Sequence, residues 1–437
     1  MPAPPSTREE GEAEERRALP ARARLGRASE LGEVALEAIG TAPERRYRQG
    51  VAALALTGVL ARLVIIAARS SGGFNLRLYW YFSHLAAHGH NPYQAPANGP
   101  VTPVDANNPP LEMLLFAAVL RLHDSPTTLR LAIALAEGAL VLAIGWWYPR
   151  DRGWRAMLCL FLALNPFVLL VWTAFTSDKV LVVGLLAAVL AALASGNLAR
   201  AWLWTALLAA LKWVGLFYAP ALALHTLREG LSRRLAATLA LCALLFVALA
   251  APWFPSSLEA WGGRNSRLTM RPTHAALTEL LVRVHLYSAS LVRPFIVIAI
   301  VAVLVLQWRR LLSTAEAIVL CVVASFIALP DHGVDRILML TLALLLVIEM
   351  PTRRWLVLWG VSLLEALAFV IQQVGPTGAQ GVIGNSESLG QVLLMNPLLL
   401  LCLYWLIRDR VRGLPRPGEG VPAPPPLAAA AVGATLQ

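Results

Sequence analysis

An all-α, polytopic integral membrane protein is the fold class this sequence predicts, and three observations predict it. Of 437 residues, 57% are hydrophobic and only 14% charged, with a mean hydropathy of +0.62, which is more apolar surface than a water-soluble core absorbs. The apolar residues gather into runs of about 18 to 20, long enough to cross a hydrocarbon core of about 30 Å as helices. Between the runs lie short arginine clusters, and a single topology puts all of them on one side. Backbone groups in lipid must be satisfied within each segment, so the spans are helices and not strands. About 10 to 12 transmembrane helices are expected, counting half-helices separately.

Residues 1–49, rich in Ala, Arg, Glu and Pro, read as a cytoplasmic tail that is disordered or partly helical. The membrane domain is expected over 50–410, with external loops at 69–126 and 255–289, and 411–437 form a second disordered, Pro- and Ala-rich cytoplasmic tail. The first span, 50–68, is entered from Arg45, Arg46 and Arg48, which places the N-terminus inside. Segment 110–122 is too short to cross and reads as a re-entrant or interfacial helix on the outer side. Span 127–147 returns to an inner cluster at Arg150, Arg152 and Arg155; 156–174 leads out to a tight turn at Thr176, Ser177, Asp178 and Lys179; and the chain is back inside by 194. Both flanks of 201–226 are basic, so this stretch reads as two half-helices meeting near Lys212, because a lysine in an apolar run needs protein or water around it. The last spans, 234–252, 290–308, 312–330, 335–350, 355–374 and 391–407, alternate with inner clusters at Arg309–Arg310, Arg353–Arg354 and 408–412. The expected location is the cell (inner or plasma) membrane with both termini cytoplasmic.

The net charge of +11 lies in those span-flanking clusters, so it orients helices and does not point to nucleic acid. All four cysteines, Cys159, Cys242, Cys321 and Cys402, fall inside spans as small hydrophobes. The external inventory is more specific. It holds Asn75, Tyr79, His84, His88, His90, Tyr93, Asp105 and Glu112 in or beside the first loop, Asp178 and Lys179 at the outer turn, Arg264, Arg267 and Arg271 in the second loop, and Asp331, His332 and Asp335 at a late helix start. His84 and His88 have an i, i+4 metal spacing, but no acid stands near them in sequence, so no metal or other cofactor is assigned. Asp331 and Asp335 read as acids suited to the positive end of a helix dipole.

The segments Phe74-Asn75-Leu76-Arg77-Leu78-Tyr79, Ala87-His88-Gly89-His90-Asn91-Pro92-Tyr93 and Asn108-Pro109-Pro110-Leu111 carry a resemblance. Their order resembles the first external loop of membrane glycosyltransferases of the C-type (GT-C) fold, and most of all the polyprenyl-phosphate-mannose-dependent mannosyltransferases of glycosyltransferase family 87. Leu164-Asn165-Pro166-Phe167, Asp178 and Lys212 also stand where such proteins have similar residues, so the likeness covers roughly 50–350. It implies transfer of a sugar, mannose foremost, from a polyprenyl-phosphate-linked donor to an extracytoplasmic glycolipid or glycan acceptor. It also implies Tyr79, Lys179, Lys212, Arg264, Arg267 and His332 as substrate-binding residues, with His332 in the position of a histidine that contacts donor phosphate. No phosphate-cradling glycine loop is present, which suits a lipid-linked donor and membrane-lipid partners better than a nucleotide sugar.

One departure is chemical. Where the family pattern has a catalytic aspartate, this chain has Asn75, and an amide cannot accept a proton from a hydroxyl at neutral pH. Asp178 is the expected replacement base, with Glu112 and Asp105 behind it, and Asn75→Asp is expected to leave activity unchanged or raise it. Two other readings remain open at this point: a catalytically silent, lipid-binding relative, and a lipid or glycan transporter. A transporter is expected to interrupt helices in both halves of the chain, and the sequence reading finds one interruption, at Lys212.

Overall fold

The computed structural model describes residues 37–68, 74–94, 108–259, 288–327, 331–374 and 393–412, with a few isolated positions between them. Asp105, Arg264, Arg267 and Arg271 lie outside the described residues. The fold is all-α and polytopic, apart from a two-residue parallel ladder pairing Thr273–His274 with Asp331–His332. Among the described residues, five helices are long and apolar enough to cross a membrane, and a sixth crossing results if one bent pair counts as a single span. Among the described residues, four shorter apolar helices, of 10 to 17 residues, pack with them.

The chain enters through α1 (Glu44–Ala68), passes α2 (Phe74–Ala87) and a short turn of helix at Pro92–Gln94, and reaches α3 (Pro110–Leu120) and α4 (Pro126–Trp147). At 11 residues α3 is only about 17 Å long, so it cannot cross. The start of α4 is set by Pro126 at its first position and by Ser125, whose hydroxyl caps the Thr127 N–H. Close packing of α1 on α4 depends on missing side chains. A Cβ at Gly145 would lie 2.3 Å from Val51 and one at Gly138 2.5 Å from Val59, so the glycines let the two backbones approach.

The expected single span at 156–174 is instead two helices, α5 (Arg152–Leu164) and α6 (Pro166–Phe175), bent by 51°. Pro166 cannot donate to the preceding turn and Asn165 caps the new helix, accepting from the N–H groups of Phe167 and Val168. The chain then runs through α7 (Lys179–Ala194), α8 (Leu198–Leu211), α9 (Val214–Glu229), α10 (Arg233–Ala250), a single turn α11 (Ser256–Glu259), α12 (Ala289–Trp308) and α13 (Thr314–Ile327). It closes with α14 (Val334–Leu345), α15 (Thr352–Val374) and α16 (Pro397–Val411). Lys212 stands at the break between α8 and α9, as the charge argument required.

Burial sorts these helices by role. Every residue of α14 except Arg336 is buried, so this helix is the centre of the bundle, packed on α7 and α16. By contrast α10 and α12 turn Leu241, Leu244, Val247, Val297, Ile298 and Val301 outward, an apolar face suited to lipid chains. The arginine clusters gather at one end through Arg152 to Glu44 (2.5 Å), Arg150 to Glu349 (2.7 Å) and Arg354 to Asp409 (2.5 Å). Tyr148 donates to the carbonyl of Leu346 at the same end (3.0 Å), so the start of α14 lies at the other.

Candidate functional site

At the end of the bundle away from the arginine clusters, α2, α3, the α6–α7 turn, the α8–α9 break and the start of α14 bring charged side chains together. The turn is locally unusual. Thr176 closes α6 in the left-handed region (φ 52°), where a β-branched residue is strained. Asp178 occupies the N-cap of α7, yet its carboxylate makes no capping bond, and Ser177 instead accepts from the Lys179 N–H (3.3 Å). A residue type made for capping has thus been turned toward other partners.

Those partners are cations and a phenol. Asp178 Oδ1 accepts from the Tyr79 hydroxyl (2.5 Å) and from Lys179 Nζ, while its Oδ2 lies 2.5 Å from Lys212 Nζ. Lys212 bridges to Glu112 Oε2 at 3.0 Å and lies 5.9 Å from the centre of the Tyr79 ring. On the other flank Asp335 Oδ2 accepts from Ser177 Oγ (3.1 Å) and Asn75 Nδ2 (3.4 Å), with Lys179 Nζ at 3.6 Å. Asp178, Lys179, Glu112, Asp335 and Tyr79 are all buried. Asp178 lies in the turn between helices. Burial there opposes its ionisation, but the ammonium groups of Lys179 and Lys212 outweigh it and hold the carboxyl well below the usual carboxylate range.

The fold therefore brings five of the sequence-selected residues, Asn75, Tyr79, Asp178, Lys179 and Lys212, into one cluster. The backbone of His332 lies three residues before Asp335, and Arg264 and Arg267 fall outside the described residues. Asp335 corrects the reading that made it only a helix-start acid: it joins the cluster. Ser177 was passed over, and Glu112, a reserve base in the sequence, is here the second anchor of Lys212. Each was detectable only as a polar residue beside an outer turn. The Asn-Pro-Tyr and Asn-Pro-Pro motifs meet directly, since the buried Tyr93 donates its hydroxyl to the carbonyl of Asn108 (2.6 Å), which sets the entry to α3 and so the height of Glu112.

Buried charges inside helices were missed as well, among them Arg62, Arg130, Glu137, Glu316 and Glu365. Arg62 and Glu137 form a fully buried ion pair, and Arg62 also donates to the carbonyls of Gly58 (2.9 Å), Leu162 (2.8 Å) and Ala163 (3.3 Å), while the buried Arg130 reaches the carbonyl of Ile66 (3.4 Å). Leu162 and Ala163 are in the last turn of α5, so Arg62 satisfies carbonyls freed by the Asn165–Pro166 break. An open cleft of about 680 Å³ at the arginine end is lined by Gly40, Asp151, Arg152, Glu349, Thr352 and Trp355, and its charged Arg152 and Glu349 are already held in the ion pairs named above.

Compared with known proteins, the chain matches no family model and no curated relative. Fold and site together define an all-α polytopic membrane protein that keeps a buried carboxylate–ammonium cluster at one end of its bundle.

Proposed function

We propose that this chain is a membrane glycosyltransferase that moves a sugar, mannose foremost, from a polyprenyl-phosphate carrier to a glycolipid or glycan acceptor on the extracytoplasmic side. The observation that carries the reading is Asp178, buried at the α6–α7 turn between two ammonium groups and a tyrosine hydroxyl. In the reaction the acceptor oxygen attacks the anomeric carbon and its proton passes to Asp178. The bond from that carbon to the phosphate oxygen breaks, and the electron pair leaves with the polyprenyl phosphate. Lys179 and Lys212 are the cations available to neutralise that phosphate. At rest each lysine is shared between Asp178 and a second acid, Lys179 with Asp335 and Lys212 with Glu112, and together they hold Asp178 as a weak base. A donor phosphate that draws them away would raise the basicity of Asp178 when the acceptor needs it. A single displacement of this kind inverts the anomeric carbon.

Asp178→Asn is expected to lower transfer by roughly 100- to 10,000-fold, the usual contribution of a general base, while binding of the polyprenyl-phosphate donor persists. Undiminished transfer by that variant contradicts the assignment. A silent, lipid-binding relative is favoured by one observation: Asn75, in the family's catalytic position, is engaged as a donor to Asp335. In that case the unmodified protein binds the donor and consumes none. The transporter reading gains a second interrupted helix from the α5–α6 break, but Asn165 and Arg62 seal that break with protein groups and leave it no role in coordinating a solute.

A further inference from the structure

We propose that His84, His88 and Asp124 form a binding site for a divalent transition-metal ion of the zinc type, separate from the Asp178 cluster. Sequence reading set the two histidines aside because no acid stood near them, but the fold supplies one from the α3–α4 connection, 36 residues beyond His88. The two imidazoles lie four residues apart with ring centres at 4.3 Å and planes tilted by 44°, and Asp124 Oδ2 lies 2.6 Å from His84 Nδ1. One ligand atom from each of the three residues can be chosen so that all lie within 4.8 Å of one another. A tetrahedral ion with bonds of about 2.0–2.1 Å holds its ligands about 3.4 Å apart, so rotation of exposed side chains closes the difference.

The surroundings prepare the donors. His88 Nδ1 lies 2.9 Å from the carbonyl of His84, a contact only an N–H can make, which leaves Nε2 with its lone pair free for a metal. Trp80 donates its indole N–H to Asp124 Oδ1 (3.0 Å), fixing the carboxylate and leaving Oδ2 toward the histidines. Two imidazoles and one carboxylate suit zinc-type ions and not the all-oxygen preference of magnesium or calcium. With three protein ligands at a partly exposed position, the fourth place is open to water.

Such an ion would clamp two pieces of chain. His84 and His88 follow Asn75 and Tyr79 at the end of α2, and Asp124 follows α3, which carries Glu112. Loading the site therefore fixes α2 against the connection that positions α3, and the ion acts as a positioning group for the neighbouring cluster, not as a reactant.

The test titrates cobalt, a spectroscopic stand-in for zinc, into tag-free full-length protein in detergent. Ligand-field absorption reports coordination, and zinc displacement reports competition. One equivalent is expected, with binding at least about 10-fold weaker in His88→Gln and in Asp124→Asn and lost in His84→Gln/His88→Gln. Zinc is expected to raise the Tm of the unmodified protein and not that of the double variant. Absence of binding at micromolar metal, or an equal Tm shift in the double variant, overturns the proposal.

Discussion

At the residue scale, the Asp178 cluster is unusual in how its charges are shared. Three carboxylates, Glu112, Asp178 and Asp335, surround two ammonium groups, and each lysine bridges two acids. Removing one cation strands buried anions, so Lys212→Met should destabilise the protein by roughly 3–5 kcal/mol, visible as a lower Tm in detergent, whereas an exposed lysine would cost almost nothing. Asn75 alters an expectation drawn from the sequence. Asn75→Asp looked like the restoration of a missing acid, but the amide donates to Asp335, and a carboxylate there would face another carboxylate. The variant should therefore lose Tm and retain at most the unmodified activity, because two acids in contact must share a proton. A variant with higher activity and unchanged Tm would show that Asp335 moves aside from position 75.

At the element scale, the two helix breaks differ in what closes them, and the sequence disclosed only one. Lys212 announced its break because a charge in an apolar run needs an explanation. Asn165–Pro166 was equally visible as a cap followed by a proline, but the hydrophobic run on both sides is long enough to pass as one span, and the 51° bend depends on a partner 100 residues away. That partner is Arg62, which sits in the apolar stretch of α1 after Gly50 and was absorbed into a span by its neighbours. Arg62→Met is expected to cost roughly 3–5 kcal/mol, because it leaves Glu137 buried without its cation and removes the donors to Leu162 and Ala163. Thermal unfolding in detergent measures this, and if Arg62→Met/Glu137→Leu recovers full stability, the carbonyl contacts contribute nothing. Similarly, Gly145→Val should overpack the α1–α4 contact at Val51 and cost about 1–3 kcal/mol.

At the scale of the whole molecule, helical class and the grouping of arginines were legible because both rest on composition and period, which survive without any tertiary information. The site was legible in part. Asn75, Tyr79, Asp178 and Lys179 sit in motifs or at outer turns, but Asp335 and Glu112 gained their roles only when α14 and α3 were brought beside them, and sequence spacing carries no trace of that. In the proposed topology the cluster and the exposed His90 face the extracytoplasmic side. A cysteine at position 90 should then react with an impermeant reagent in intact cells, and one at Arg309 only after permeabilisation. The most direct measurement supplies radiolabelled polyprenyl-phosphate mannose and an acceptor glycolipid to sealed vesicles of known orientation containing the full-length protein. The account predicts labelled acceptor when substrates face the position-90 side, with transfer lost in Asp178→Asn. Donor bound but left intact by the unmodified protein on both sides would contradict it.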